Sequence, residues 1–157
     1  EVAAIPRRAA RLVVLDPEHR VLLFRVREPL RGGLFWLTPG GGLEGDETYL
    51  EAARRELREE TGQGDVEIGH ALWRGTRSFH FRGRDFQQEE VFFLVRTAPF
   101  DVDLDGAEDY EADLEHRWWR LEDLELTVET VYPRGLGRLL RQLLEQGPPE
   151  QPSDIAM

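Results

Sequence analysis

The 157-residue chain is predicted to form one domain that combines a β-sheet with helices. Three observations lead to this prediction. Strand-like apolar segments come first, a helix-like segment rich in glutamate follows, and further strand-like segments precede a strongly amphipathic helix near the end. This order by itself indicates the α+β class, because periodicity does not reveal how the strands pair.

Composition is that of a globular protein and excludes several kinds of chemistry. Apolar residues make up 40% of the chain, and the formal net charge of −11 argues against a general nucleic-acid binder. The sequence contains no apolar run long enough to cross a membrane and no signal pattern at its start. It contains no cysteine, which excludes disulfides, thiol catalysis and zinc–thiolate sites. We therefore expect a cytoplasmic protein that binds neither nucleic acid nor membranes.

The first part of the chain reads as a loose lead-in followed by a β-hairpin. Residues 1–8 lack a clear pattern, whereas residues 9–15 and 21–27 are apolar, strand-like segments. Asp16 and Pro17 lie between them and favour a turn, since proline fixes φ and aspartate often starts a turn. A further short apolar segment then leads into three consecutive glycines.

The second half is predicted to return to the sheet and to finish with a helix. Strands are expected over 66–76, 78–82, 86–96 and 114–121. Residues 97–113 are acidic and read as a long loop of the kind that is often functional. A helix is predicted over 133–146, with Pro133 allowed in its first turn. The proline-rich residues 147–157 are expected to be disordered, which leaves 9–146 as the folded domain.

The stretch between the two halves joins a glycine-rich loop to a helix. Glycines 40–42 let the backbone bend sharply and approach a ligand closely. Thr48 and Glu51 have the spacing of a capping box, and Gly62 is well placed to end the helix. The residues predicted to face the core are Leu50, Ala53 and Leu57.

Three carboxylates of this helix share one face. Glu56, Glu59 and Glu60 stand at i, i+3 and i+4, so they repel one another unless a cation lies among them. Carboxylates are the hard oxygen ligands that Mg²⁺ prefers. Arg55 projects about 100° away and can pair with a glutamate one or two turns back. A solvated helix with mixed surface charges is the alternative interpretation, and the spacing alone leaves both open.

The stretch resembles the Nudix box, G-x5-E-x7-R-E-U-x-E-E-x-G-U, in which U is a bulky apolar residue. The positions filled in register are Gly41, Glu47, Arg55, Glu56, Leu57, Glu59, Glu60 and Gly62. Gln63 departs from the pattern, because the family has an apolar residue at this position that helps to pack the loop after the helix. The resemblance spans about residues 7–146 and implies the Nudix fold, an α/β/α sandwich in the α/β class with a central mixed β-sheet.

The resemblance also implies a reaction. Nudix enzymes hydrolyse a nucleoside diphosphate linked to another group. They use Mg²⁺ or Mn²⁺ to screen the charge of the phosphate oxygens and to activate the attacking water. The implied metal ligands are the side chains of Glu56, Glu59 and Glu60 and a backbone carbonyl of Gly40 or Gly41. Glu47 would support the cluster from a distance, and Arg55 would hold a box glutamate in orientation.

Two further roles are assigned as hypotheses. The general base is either a box glutamate or an acidic residue of the 97–113 loop, for which we choose Glu111. Substrate binding requires arginines for phosphate and aromatic rings for a base. The candidates are Arg25, Arg27, Arg77, Phe79 and Trp36. Aromatic residues that alternate along strands are more often part of a core, and this alternative stays open.

Three functions compete on this fold. An active pyrophosphatase requires all the box carboxylates, and the chain keeps them. A Nudix-fold module that senses a nucleotide without turnover usually loses them. An isomerase of isoprenoid diphosphates typically requires a cysteine, which is absent here. The substrate class stays open among nucleoside triphosphates, nucleotide sugars and similar diphosphates. A homodimer is also considered, with Trp119 or the C-terminal helix at its interface.

Overall fold

The computed structural model describes residues 3–28, 32–63, 66–98 and 115–157. The strands are β1 (Ile5–Leu15), β2 (Val21–Arg27), β3 (Leu34–Leu37), β4 (Gly40–Gly42), β5 (Ala71–Phe81), β6 (Arg84–Arg96), β7 (Glu115–Trp119), β8 (Thr130–Tyr132) and β9 (Ser153–Asp154). The helices are α1 (Tyr49–Thr61), α2 (Leu121–Leu126) and α3 (Leu136–Gln146). Among these described helices, none is long and apolar enough to cross a bilayer.

The strands form one mixed sheet. Its order is β8-β3-β2-β1-β6-β5-β9, with β4 paired to β1 and β7 paired to β2. The long central strand β1 runs parallel to β6 along its whole length. It is antiparallel to β2, which it meets at Leu15, and antiparallel to β4, which it meets over residues 9–11. The predicted α/β architecture with a central mixed sheet is therefore confirmed.

Side chains on the two faces of the sheet form two hydrophobic cores. Along β1, Val13 and Leu15 belong to one core, and Leu12 and Val14 belong to the other. The first core includes buried leucines of α2 and α3, and the second includes Ala52, Ala53 and Leu57 of α1. Because β1 is buried on both faces, it reads as a nearly continuous apolar run rather than as an alternating strand.

The two neighbouring tryptophans of β7 point to opposite faces of the sheet. Trp119 is 1% exposed and lies in the first core, whereas Trp118 packs against the second core. Because Trp119 is buried within its own chain, its expected place in a dimer interface is wrong.

The strands 66–76 and 78–82 expected from the sequence are a single strand, β5, which starts only at Ala71. Its hairpin partner is β6, and the turn between them lies at Arg82 and Gly83. Both turn residues have positive φ values, 50° and 77°, as a tight hairpin turn requires.

Both ends of the chain carry more structure than the sequence indicates. Residues 5–8 of the lead-in expected over 1–8 already belong to β1, since Ile5 is paired with Phe86 of β6. In the tail expected to be disordered, β9 runs parallel to β5, and the amide of Ile155 donates to the carbonyl of Arg74 at 2.9 Å. Ile155 and Met157 also pack against the first core. The proline-rich composition of the tail misled the prediction, because the backbone of β5 and an apolar surface give these residues partners.

The last helix begins three residues later than predicted. Gly135, with φ of 71°, precedes Leu136, so Pro133 lies before α3 rather than in its first turn. The amphipathic character expected of this helix is confirmed, because Leu136, Leu140 and Leu143 are buried in the first core.

The packing of α3 generates a prediction for stability. Leu140 is 1% exposed, so Leu140→Ala would leave a cavity in the core. We expect this substitution to lower the free energy of unfolding by about 2–5 kcal/mol. Leu126→Ala is the matched control, since Leu126 is 81% exposed and its loss should cost under about 0.5 kcal/mol. Urea unfolding followed by circular dichroism measures both values. Equal effects of the two substitutions would contradict the assigned packing of α3.

Candidate active site

The ends of α1 are fixed by the predicted signals. The Thr48 hydroxyl accepts from the amide of Glu51 at 3.1 Å, and the Glu51 carboxylate accepts from the amide of Thr48 at 2.9 Å. At the other end Gly62 is left-handed, with φ of 78°, and its amide donates to the carbonyl of Arg58 at 2.9 Å. These two caps determine which residues the helix turns toward the sheet.

The buried face of α1 carries two carboxylates. Its buried residues are Ala52, Ala53, Glu56, Leu57, Glu60 and Thr61. Leu50 is 36% exposed, so the prediction that it faces the core is wrong, although Ala53 and Leu57 do face it. Glu56 and Glu60 are only 8% and 3% exposed, and they occupy the stripe that a purely apolar helix would fill with hydrophobic residues.

The glycine-rich strand β4 lies against these two carboxylates. The amide of Gly40 donates to Glu60 Oε2 at 3.1 Å. A Cβ atom on Gly41 would overlap the carboxylate of Glu56, and one on Gly40, whose φ is 142°, would overlap the carbonyl oxygen of Ala10. The close approach of β4 to β1 therefore requires glycine at position 40, whereas a side chain at position 41 would displace the Glu56 carboxylate.

Arg55 connects the surrounding acceptors. Its guanidinium donates to Glu47 at 2.8 and 3.0 Å, to Glu56 at 2.8 Å, to Glu59 at 3.1 Å and to the carbonyl of Gly42 at 2.9 Å. The hydrogen bonds that Glu47 accepts from Arg55 lower the pKa of Glu47. The pKa of Arg55 is raised, chiefly by its hydrogen bonds to Glu47 and also by that to Glu56. One charged side chain thus joins the loop to the start and the middle of the helix.

A second group of polar and aromatic side chains lies on β5, β6 and β8. The Arg77 guanidinium lies 4.7 Å from the ring of Phe79 and 5.6 Å from the ring of Tyr132. It also approaches Oε2 of the buried Glu90 at 3.3 Å. Phe79 in turn stacks on Phe86, with ring centroids 5.4 Å apart. This group, Arg77 with Phe79 and Tyr132, combines a cation with half-buried aromatic rings.

The comparison with known proteins agrees with this geometry. A family model described as the NUDIX domain matches residues 5–142. The chain belongs to the Nudix family. A relative, the RNA pyrophosphohydrolase of Pelagibacter ubique, is 29% identical over 121 residues, which are 72% of this chain and 75% of the relative.

Solved structures show the same Nudix fold. The MutT protein of Methanosarcina mazei Go1 has a TM-score of 0.66 at 21% identity, covering 92% of this chain and 97% of that one. An Ap4A hydrolase of C. elegans has a TM-score of 0.58 at 23% identity, covering 88% and 96%. The family and the fold predicted from the sequence are both confirmed.

The donors of the Nudix box fit a divalent cation that prefers oxygen ligands. Burial and the neighbouring negative charge of Glu56 raise the pKa of Glu59. A bound cation would reduce the repulsion between these two carboxylates. Gly41 leaves the space in front of Glu56 free of a side chain. Within the described ranges, no three acidic or histidine side chains already form a metal cluster. Glu56 and Glu59 each accept from Arg55 through one oxygen, so the second oxygen of each could bind an ion, while Glu60 faces the loop.

The substrate candidates from the sequence separate into different environments. Arg25 pairs with Glu115 at 2.5 Å and lies 5.7 Å from the ring of Trp36. Trp36 itself is 5% exposed and packs in the first core, so the structure contradicts it as a residue that stacks on a base. Arg27 donates to the carbonyl of Gly32 in its own loop at 2.9 Å and is not brought to Arg77. Glu111 lies outside the described residues, and its role as general base stays a prediction.

The sequence analysis missed the buried charges beside the site. Arg11 and Glu90 are 7% and 1% exposed, and Gln88, which donates to Glu90, is 3% exposed. A signal for them was present: Arg11 interrupts the apolar run of β1, and Glu90 immediately precedes the apolar run of β6. A charge at a position that alternation assigns to a core indicates a paired buried group.

The contact of loop and helix generates a prediction for metal binding. In Gly41→Ala, the added methyl group would displace the carboxylate of Glu56, so Mn²⁺ affinity should fall by about tenfold or more. Isothermal titration calorimetry with Mn²⁺ measures this change. Gly33→Ala is the matched control, because a Cβ atom there meets nothing within 4 Å. Equal Mn²⁺ binding by both variants would argue against Glu56 as a ligand.

Proposed function

We propose that the chain hydrolyses a pyrophosphate bond in a small nucleotide-type molecule, with Mg²⁺ or Mn²⁺ bound by Glu56, Glu59 and Glu60. The chain is a Nudix pyrophosphohydrolase, and the family generally uses divalent metal ions. The single observation that carries the proposal is the burial of Glu56 and Glu60 against a glycine strand. Two carboxylates on the core-facing side of a helix have a clear reason to be there if they hold a cation.

Each residue of the site is proposed to have a separate role in binding or positioning the metal ion. A bound divalent cation would screen the phosphate oxygens and activate water for attack at phosphorus. Glu56, Glu59 and Glu60 would hold it, with a backbone carbonyl of the glycine strand. Arg55 would fix the orientation of Glu56 and Glu59 through its hydrogen bonds. Glu47 would keep Arg55 in place, since it accepts two of those bonds.

The group of Arg77, Phe79 and Tyr132 is proposed to contact the nucleotide. Guanidinium groups bind phosphate oxygens in a fork, and aromatic rings stack on bases. Burial lowers the pKa of Arg77 but the group stays a cation, because its charge is opposed by Glu90. Arg25, which pairs with Glu115 and lies over the ring of the buried Trp36, is a second candidate for the phosphate contact.

The preferred substrate class is a free nucleotide rather than a polymer. The net charge of −11 disfavours long polyanions, although the relatives named above include an RNA pyrophosphohydrolase. We therefore propose a nucleoside triphosphate, a nucleotide sugar or a similar diphosphate. Cytoplasmic location and assembly into a homodimer stay predictions.

The first test is product release from a substrate panel with Mg²⁺ and with Mn²⁺. The panel contains deoxynucleoside triphosphates, ADP-ribose, nucleotide sugars, dinucleoside polyphosphates, coenzyme A and 5′-triphosphorylated RNA. Turnover of the best compound should fall by on the order of 100-fold or more in Glu60→Gln, since loss of a metal ligand removes several kcal/mol of charge stabilisation.

Glu67→Gln serves as the control for this test, because Glu67 is exposed. If Glu60→Gln kept full activity, the ligand assignment would be refuted. If folded wild-type protein bound Mn²⁺ but turned over no compound, the result would favour a nucleotide-sensing module instead of an enzyme.

The second test concerns Arg77. In Arg77→Met, KM for the substrate found in the panel should rise about 10- to 100-fold while kcat changes less, because a charge-assisted contact worth about 1.5–3 kcal/mol is lost. Arg84→Met on the same hairpin is the matched control, since Arg84 is exposed. An unchanged KM would assign Arg77 to packing alone.

A further inference from the structure

A buried ion pair joins the two central strands of the sheet beside the box. Arg11 of β1 approaches Glu90 of β6, with Nε 3.3 Å from Oε1 and Nη2 3.5 Å from Oε2. The Nε contact is ionic rather than a hydrogen bond, because its geometry does not meet the angle that a hydrogen bond requires. Glu90 is 1% exposed and also receives contacts from Arg77 at 3.3 Å and from Gln88 at 2.5 Å.

The same arginine contacts the backbone just before the glycine strand. Arg11 Nη1 donates to the carbonyl of Thr38 at 3.3 Å, and the amide of the next residue, Leu12, donates to the carbonyl of Pro39 at 2.8 Å. Arg11 is also the ladder partner of Gly40, whose amide donates to Glu60. Two successive carbonyls are therefore fixed by β1 immediately before the amide that binds a box carboxylate.

Stability alone does not explain this pair. Removing two charges from water is costly, and replacing a buried ion pair with uncharged groups of similar volume is often neutral or stabilising. The orientation of the Arg11 fork, in contrast, depends on Glu90, because Glu90 is the anion that holds one side of the guanidinium while the other side reaches Thr38. Although burial raises the pKa of Glu90, the charges of Arg11 and Arg77 keep it below its ordinary value, so Glu90 is an anion.

We propose that Arg11 and Glu90 are positioning residues for the metal site. They hold the backbone of Thr38 and Pro39, and thereby keep Gly40 and Gly41 at the distance from Glu60 and Glu56 that binding of a divalent cation requires. This inference rests on the proposed function, since it concerns the same cation. It adds two residues outside the box, on strands that precede and follow it, to the machinery of the site.

Charge and position predict different results when the pair is removed. Arg11 lies near the acidic box, and the charges of Glu90, Glu60 and Glu56 together outweigh burial and raise its pKa. If Arg11 affects the site only by its charge, its loss should leave Mn²⁺ binding unchanged or stronger, because a competing positive charge is removed. If Arg11 positions the backbone, its loss should weaken Mn²⁺ binding, because the Thr38 carbonyl is released.

The experiment is a calorimetric titration with Mn²⁺ alone, together with a thermal melt of each protein. The variants are Glu90→Gln, Arg11→Lys and the double variant Arg11→Met/Glu90→Gln, with exposed Glu67→Gln as the control. Glu90→Gln and Arg11→Lys should weaken Mn²⁺ binding about 10- to 100-fold, the range typical of residues that orient metal ligands. The double variant should stay folded but melt below the wild-type temperature, because Arg77 loses its anion, and it should bind Mn²⁺ at least about tenfold more weakly.

Each outcome supports or overturns the inference. A double variant that binds Mn²⁺ as tightly as the wild type, or more tightly, overturns it and assigns the pair to charge or stability. If the double variant does not fold, Arg11→Lys decides, because it keeps the cation and loses the fork; wild-type affinity in that variant overturns the inference as well. Wild-type protein that binds no Mn²⁺ refutes the proposed metal site itself, which distinguishes that failure from failure of the positioning role.

Discussion

Burial of two carboxylates against the backbone is the constraint on which the site depends. Glu56 and Glu60 are on the side of α1 that faces the sheet, where charged groups are stable only with polar partners. The Gly40 amide is a partner of Glu60 and the Arg55 guanidinium is a partner of Glu56, and Gly41 leaves room for the Glu56 carboxylate because it has no side chain. Small alanines at positions 52 and 53 allow the same face of the helix to pack on the second core.

The sheet keeps two sets of chemical groups apart on its two faces. Alternation along β6 places Glu89 on the side of α1, where it accepts from the Tyr49 hydroxyl at 2.8 Å, and Glu90 on the side of Arg11 and Arg77. Burial and the hydrogen bond to Glu89 raise the pKa of Tyr49 to about 12. Consecutive glutamates thus serve different faces, and a shift of one residue in the pairing of β6 would exchange them.

The parts of the molecule that the sequence predicts well are those specified locally. The caps of α1 and the mixed charges of the box depend on residues within a few turns of one another, and their spacing is visible in the chain. The failures at Leu50, Trp36 and the tail have a different cause, since each depends on which distant surface the element meets. Trp36 is buried because Trp119 packs across it at 5.2 Å, and nothing near Trp36 in the sequence indicates that contact. Glu90 was missed for the same reason, because its partner Arg11 lies 79 positions earlier.

The strand β9 has a consequence for how copies of this protein can associate. A strand at the margin of a sheet presents unpaired amides and carbonyls that invite pairing with another chain. Here β9 covers part of β5, and Met157 lies so close to Gly75 that a Cβ atom on Gly75 would overlap its side chain. Continuation of the sheet from one molecule to the next at this position would require displacement of residues 153–157. Edge-to-edge joining of two copies through this part of β5 is thereby opposed.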